Sequence, residues 1–318
     1  MTPREQFTRA LELGPPGEHV PTFELVFFLT MEAFGRVFPG HRRFGQWDQM
    51  SRRERDLHVT DAAQVFIDTA RRYGHGAIFV HGFQGVPDAE ALIASAIRDR
   101  TGDEFFLMRH GDATYSVPGG DRMVEFACRL ADDPAGVHQE ATGKVDRALA
   151  RSEAETGLGL WDGFALCADY CFNDGPFLSP GQFSEFITPY LAKLTQGYRD
   201  QGYYVIKHTD GNIMPVLDQL VQCRPHALHS LDPQAGVDIA KVKRRHGHEL
   251  CLIGNVNCGL LQTGTDEECV ESARYALRSA MPGGGYIFST SNCVYTGMPL
   301  ERYELIHRVW RDEGSYRT

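Results

Sequence analysis

The chain has 318 residues and carries 32 Lys and Arg against 42 Asp and Glu, for a formal net charge of −10. With 42% hydrophobic and 23% charged residues, its composition is that of a folded globular protein and excludes collagen-like, coiled-coil and largely disordered classes. The acidic balance argues against a nucleic-acid face or an anionic-membrane face, and no run of about 18 apolar residues is present to span a bilayer.

The opening MTPREQFTRALELGPPGEH is polar and then turn-rich, without a secretory pattern. None of the eight cysteines falls in a C-x2-C spacing, and a core of this size needs no disulfide staples, so a reduced, cytoplasmic protein is expected. Beyond residue 20, short apolar or β-branched runs alternate with longer helical patterns. The expected strands are PTFELVFF (21–28), GAIFVHG (76–82), EFFLMRH (104–110), GFALCADY (163–170), YYVIKHT (203–209), PHALHSL (225–231), ELCLIGNV (249–256) and GYIFSTS (285–291). Nearly continuous apolar runs of this kind suit parallel strands buried on both faces.

Helical patterns lie between them. TDAAQVFIDTARRYG begins at Thr60 and stops at Gly74, while Ser179-Pro180-Gly181-Gln182 and Thr265-Asp266-Glu267-Glu268 read as capping boxes. Gly283-Gly284-Gly285 precedes a strand and reads as a turn, not as a phosphate cradle. Eight β/α alternations point to an α/β fold, a single (β/α)8 TIM barrel spanning 1–318. A long insert after strand three, 111–162, carries the helical patterns DRMVEFACRLAD and HQEATGKVDRALARSEAE. The segment 1–20 is expected to pack across the barrel bottom.

In such a barrel the chemistry sits where strands end. Those ends present Glu24, His81, Arg109, His110, Asp169, His208, Asp210, His229, Asp232, Asn255, Asn292 and Cys293. The sharpest pattern is His208-Thr209-Asp210-Gly211-Asn212. Two residues apart on an extended strand, the imidazole and the carboxylate point the same way. That pairing suits Zn2+ or an acid/base couple, and equally an Asp that caps the next helix beside a His held in a turn. Asp232-Pro233 offers a further oxygen ligand or an Asx turn. Cys293 offers a thiolate that would complete a metal site with one open position, or simple packing.

The segments GPFLSPGQFSEFITPY, VIKHTDGNIMPVLDQL, ALHSLDPQAGVDIAKVK, LIGNVNCGLLQTGTDEECV and GGGYIFSTSNCVYTGMPLERY resemble the uroporphyrinogen decarboxylase superfamily, which also includes cobalamin-dependent methyltransferases. Decarboxylases of that superfamily carry an arginine-rich R-Q-A-G-R segment and an aspartate in an F-S-D pattern. Here the corresponding stretches read FELVFFLTMEAFGR, whose first arginine is Arg36, and Phe79-Val80-His81. The zinc methyltransferase branch uses a His-x-Cys pair, a later Cys and a nearby acidic residue. His208, Cys293 and Asp232 match those positions, while Asp210 stands where that branch has Cys, making the site harder.

The resemblance therefore implies a corrinoid-dependent methyltransferase moving a methyl group between a small methylated compound and a corrinoid protein. It implies zinc held by His208, Asp210, Asp232 and Cys293, with cobalamin carried by the partner protein. His208, Asp210, His81 and Asp169 would be catalytic, and Glu24, Arg109, Asn255 and Asn292 would meet the substrate. A homodimer is the assembly common among related barrels. The alternatives are a carboxy-lyase of the porphyrinogen-decarboxylating type and a non-catalytic barrel that binds a tetrapyrrole or small ligand.

Overall fold

The computed structural model describes residues 1–120 and 122–316. Seven of the expected strands form one sheet: β1 (Ala77–Phe79), β2 (Phe106–His110), β3 (Gly163–Leu166), β6 (Tyr204–Thr209), β7 (Ala227–Ser230), β8 (Cys251–Val256) and β9 (Tyr286–Thr290). Their spatial order is β1-β2-β3-β6-β7-β8-β9, and every neighbouring pair is parallel. Helices return the chain between strands and cover the sheet, so β1, β3, β7, β8 and β9 are buried along their whole length. Two further short strands, β4 (Cys171–Phe172) and β5 (Gly175–Pro176), form an antiparallel hairpin just after β3.

The expected closed eight-stranded barrel is not what forms. The sheet has seven strands and is open, because the segment 21–28 is not a strand. The backbone of that segment meets the two edges through isolated bridges, Thr22 to His75 and Phe288, and Phe27 to Val294. Glu24 accounts for the interruption. Pairing with β9 starts normally, with Phe288 N donating to Pro21 O (2.9 Å) and Phe23 N to Phe288 O (3.1 Å). The next donor, Thr290 N, is then taken by the Glu24 carboxyl at 3.1 Å instead of a backbone carbonyl. A parallel ladder needs that carbonyl to continue, so it stops there and the chain bends at Leu25.

The helix expected from Thr60 begins earlier, at Arg52, because Ser51 and Glu54 form a capping box. It ends at Gly74 in the left-handed conformation, as the pattern indicates. Both other capping boxes form, at Ser179 and Thr265. The triple glycine is a turn with φ of 81°, 76° and 61°. The insert follows β2 and holds the helices Arg122–Asp132 and Pro134–Glu155; Asp121, the first residue of its expected pattern, lies outside the described residues.

The N-terminal helix Pro3–Leu11 lies against the N-terminal ends of the strands. Phe7 meets the rings of Phe23 and Phe106 at 5.7 and 5.1 Å, and Arg4 pairs with Asp162. No helix among the described residues is long and apolar enough to cross a membrane.

Candidate functional site

β3 and β6 are neighbours, and their C-terminal ends bring Asp169, His208 and Asp210 together. One ligand atom from each lies within 4.8 Å of the others. His208 Nε2 is 3.7 Å from Asp210 Oδ1 and 4.0 Å from Asp169 Oδ1. These separations are too long for hydrogen bonds. They are close to the spacing of about 3.3 Å between donors that share a tetrahedral Zn2+, so the set could coordinate a metal ion.

His208 is buried, and burial pushes its imidazole down to about 4 against the opposing pull of Asp169, leaving the ring neutral. Asp210 moves the other way. Burial, with the charges of Asp169 and Asp232, raises its carboxyl to about 7, although Ser230 and Asn292 both donate hydrogen bonds to it. Asp169 is about half exposed, and its Oδ1 accepts from Asp210 N at 3.0 Å.

Other bonds stitch the two loops. Tyr170 N donates to Thr209 Oγ1 (3.1 Å) and Asn212 N to Phe172 O (2.8 Å). Gly211, at φ +82°, lies under the β4–β5 hairpin; a Cβ there would stand 2.6 Å from Cys171 O. Only glycine permits that approach.

The remaining expected site residues lie around this centre in different ways. Asn292 donates to Asp210 and is part of it. Asp232 caps the turn Pro233–Ala235, accepting from Gln234 N at 2.9 Å, and burial raises its carboxyl. Cys293 is a buried core thiol that burial pushes up, and it is not among the three residues whose ligand atoms converge.

His81 packs its ring against Phe79 (4.6 Å) and Phe38 (5.5 Å), and burial lowers it to about 4. Arg109 pairs with Glu155 at 2.8 Å and lies over the rings of Trp161 and Phe164. Asn255 donates to Leu231 O at 2.8 Å. Glu24 is held by Ser289 and Thr290, and its burial raises the carboxyl to about 8.

Two partners of the site, Ser230 and Lys207, carried no signal by spacing. Ser230 and His229 come from β7, which the sheet register sets beside β6, with His208 opposite His229. His208 Nδ1 and His229 Nδ1 are 2.7 Å apart. Lys207, one residue before His208, is wholly buried and paired with Asp112 at 2.8 Å. A lysine inside an apolar strand is the sequence signal for such a hidden carboxylate.

Residues 167–311, which include the whole cluster, match the uroporphyrinogen decarboxylase (URO-D) family model. Uroporphyrinogen decarboxylases from Shewanella pealeana and Anaeromyxobacter dehalogenans are both 26% identical to the chain, over 60% and 61% of its length. The chain spans about half the length of these curated relatives, 52% and 53%. A methyltransferase from Methanosarcina mazei shares the fold over 98% of this chain and 99% of its own, with a TM-score of 0.63 at 16% identity. Over residues 167–311 the chain is similar to the uroporphyrinogen decarboxylase family.

Proposed function

We propose that the chain is a lyase- or transferase-type enzyme that works on a small molecule at the Asp169–His208–Asp210 cluster. The convergence of one imidazole and two carboxylates at a single point carries this reading. Decarboxylation of an organic acid has the sequence likeness, since the curated relatives are uroporphyrinogen decarboxylases. Asp210 supplies what that step requires. Its carboxyl retains a proton near neutral pH, so it can protonate the substrate carbon from which CO2 departs. The C–C bonding pair stays on that carbon, the proton comes from Asp210, and water restores it. Asp169 and the neutral His208 fix the position of the acid.

The second reading is methyl transfer from a small methylated compound to a corrinoid protein. The locked state of the cations favours it. Arg109 is bound to Glu155 and Lys207 to Asp112, so neither offers its charge to a polycarboxylate. In this reading Asp169, His208 and Asp210 would hold zinc, whose Lewis acidity draws charge from the leaving heteroatom. Asn292 and Ser230 orient Asp210 as a ligand in place of its role as an acid.

One pair of assays separates the two. Uroporphyrinogen, or a simpler aromatic acid, is incubated with the purified chain and the decarboxylated product measured; methylated thiols and amines are incubated with it and reduced cobalamin. Product from the acid, lost in Asp210→Asn, is the expected result. Zinc-dependent methylcobalamin formation with no decarboxylation would replace the first reading with the second.

A further inference from the structure

Behind the cluster a line of buried polar groups runs through the protein interior to Glu24. His208 Nδ1 faces His229 Nδ1 at 2.7 Å, and both rings are buried. A contact this short holds one proton: two N–H groups would collide and two lone pairs would repel. One ring donates and the other accepts, and the direction is fixed at the far end of the line.

His229 Nε2 is 3.4 Å from Ser289 Oγ, and the Ser289 hydroxyl donates to Glu24 Oε2 at 3.3 Å. Glu24 Oε2 also receives Thr290 Oγ1 at 2.6 Å, so that oxygen is the acceptor that terminates the line, and the proton that the buried carboxyl keeps near neutral pH belongs on Oε1. With its proton committed to Glu24, Ser289 offers lone pairs to His229, which must present Nε2–H. A neutral His229 then has its lone pair on Nδ1 and accepts from His208 Nδ1–H. His208 is left with a bare Nε2 facing Asp169 and Asp210. The absence of a proton there agrees with separations of 3.7 and 4.0 Å to those carboxylates, which no N–H···O bond spans.

We infer that Glu24, Ser289 and His229 form a buried relay of positioning residues that fixes His208 in the Nδ1–H tautomer and presents its Nε2 lone pair to the mouth. The line gives Glu24, beyond interrupting the strand, a reason to be a carboxyl: it orders three groups, Ser289, His229 and His208, by accepting at one end. Outer partners of this kind orient an imidazole for a metal ion or a proton, and losing one typically costs about 10–100-fold in metal affinity. The inference rests on the reading of the cluster as the working centre, but the tautomer can be measured without any reaction.

The test is long-range proton–nitrogen correlation on the full chain with 15N-labelled histidine at neutral pH, the two rings being assigned from His208→Gln and His229→Gln. The expected pattern is a protonated Nδ1 and bare Nε2 on His208, with the reverse on His229. A wild-type His208 carrying Nε2–H overturns the inference. Ser289→Ala cuts the line; His208 should lose its single tautomer in that variant, and Co2+ affinity should fall about 10–100-fold. An unchanged His208 spectrum in a folded Ser289→Ala chain would also overturn it. If that variant does not fold, the wild-type spectrum alone decides. The expected tautomers in a chain that neither binds Co2+ nor turns over substrate would count against the proposed function and leave the relay standing.

Discussion

Lys207 and His208 are consecutive on β6, so their side chains leave on opposite faces of the strand, and the two surroundings differ in kind. Around Lys207 every charge and donor is answered. Its Nζ donates to Asp112 Oδ2 (2.8 Å), Ala168 O (2.8 Å) and Leu166 O (3.2 Å), and lies 4.1 Å from the Tyr170 ring centre. Burial alone would raise Asp112, yet the Lys207 charge and its hydrogen bond hold that carboxyl well below the usual range. Around His208 the groups converge without an answering proton or cation. Asp169 and Asp210 bring two carboxyl groups toward a neutral ring, and burial, with the charges of Asp169 and Asp232, keeps the proton on Asp210 to higher pH. A closed set of partners is what structure requires; a convergent set short of one positive charge is what chemistry can use.

Four expected outcomes would break or sharpen this contrast. The largest falls on the closed side: Asp112→Asn strands a buried ammonium and should cost about 3–5 kcal/mol in chemical denaturation. A cost below about 1 kcal/mol would erase the distinction. On the open side, His208→Ala should cost stability much less than that, while reducing turnover by about 10²–10⁴-fold and removing Co2+ binding measured by titration. Wild-type turnover in this variant would remove the cluster from the mechanism.

The third outcome is a pH slope of a few kcal/mol. Asp210 is raised from 3.8 to about 7 and Glu24 from 4.5 to about 8. The folded chain therefore holds protons that the unfolded chain has already lost. The stability they contribute is full below pH 3.8 and 4.5 and is lost as pH rises through about 7 and about 8. Unfolding free energies measured across that window should decline less steeply in Asp210→Asn and in Glu24→Gln than in the wild type. Equal slopes would mean that neither carboxyl retains its proton on folding. The smallest effect is expected at Cys293. Cys293→Ser should leave Co2+ stoichiometry unchanged and cost about 1 kcal/mol from burying a hydroxyl in place of the thiol. Loss of the metal would bring the thiol into the cluster.

The strands were legible because a parallel strand buried on both faces leaves a dense apolar run in the chain, as in ELCLIGNV and GYIFSTS. PTFELVFF shows the same run and fails, because the rule weighs apolar content and cannot see that Glu24 will take the N–H of Thr290, 266 residues away. His208 and Asp210 were readable as a pair, since a period of two along one strand is local information. Asp169 stood out as a polar strand end and a catalytic candidate, but its partnership with them depends on β3 pairing with β6. The contact between His208 and His229 was invisible for a similar reason. Register between strands is set by packing of the whole sheet, and nothing near either histidine encodes it.

The seam between the loops after β3 and β6 has a mechanical consequence. Asp210 N is bound to Asp169, Tyr170 N to Thr209, and Asn212 N to Phe172, with the Gly211 backbone pressed under the hairpin. Asp169 and Asp210 thus travel together, as the jaws of a clamp cast in one piece. A ligand cannot widen the gap between them without breaking several backbone bonds at once. These amides should exchange with solvent in concert.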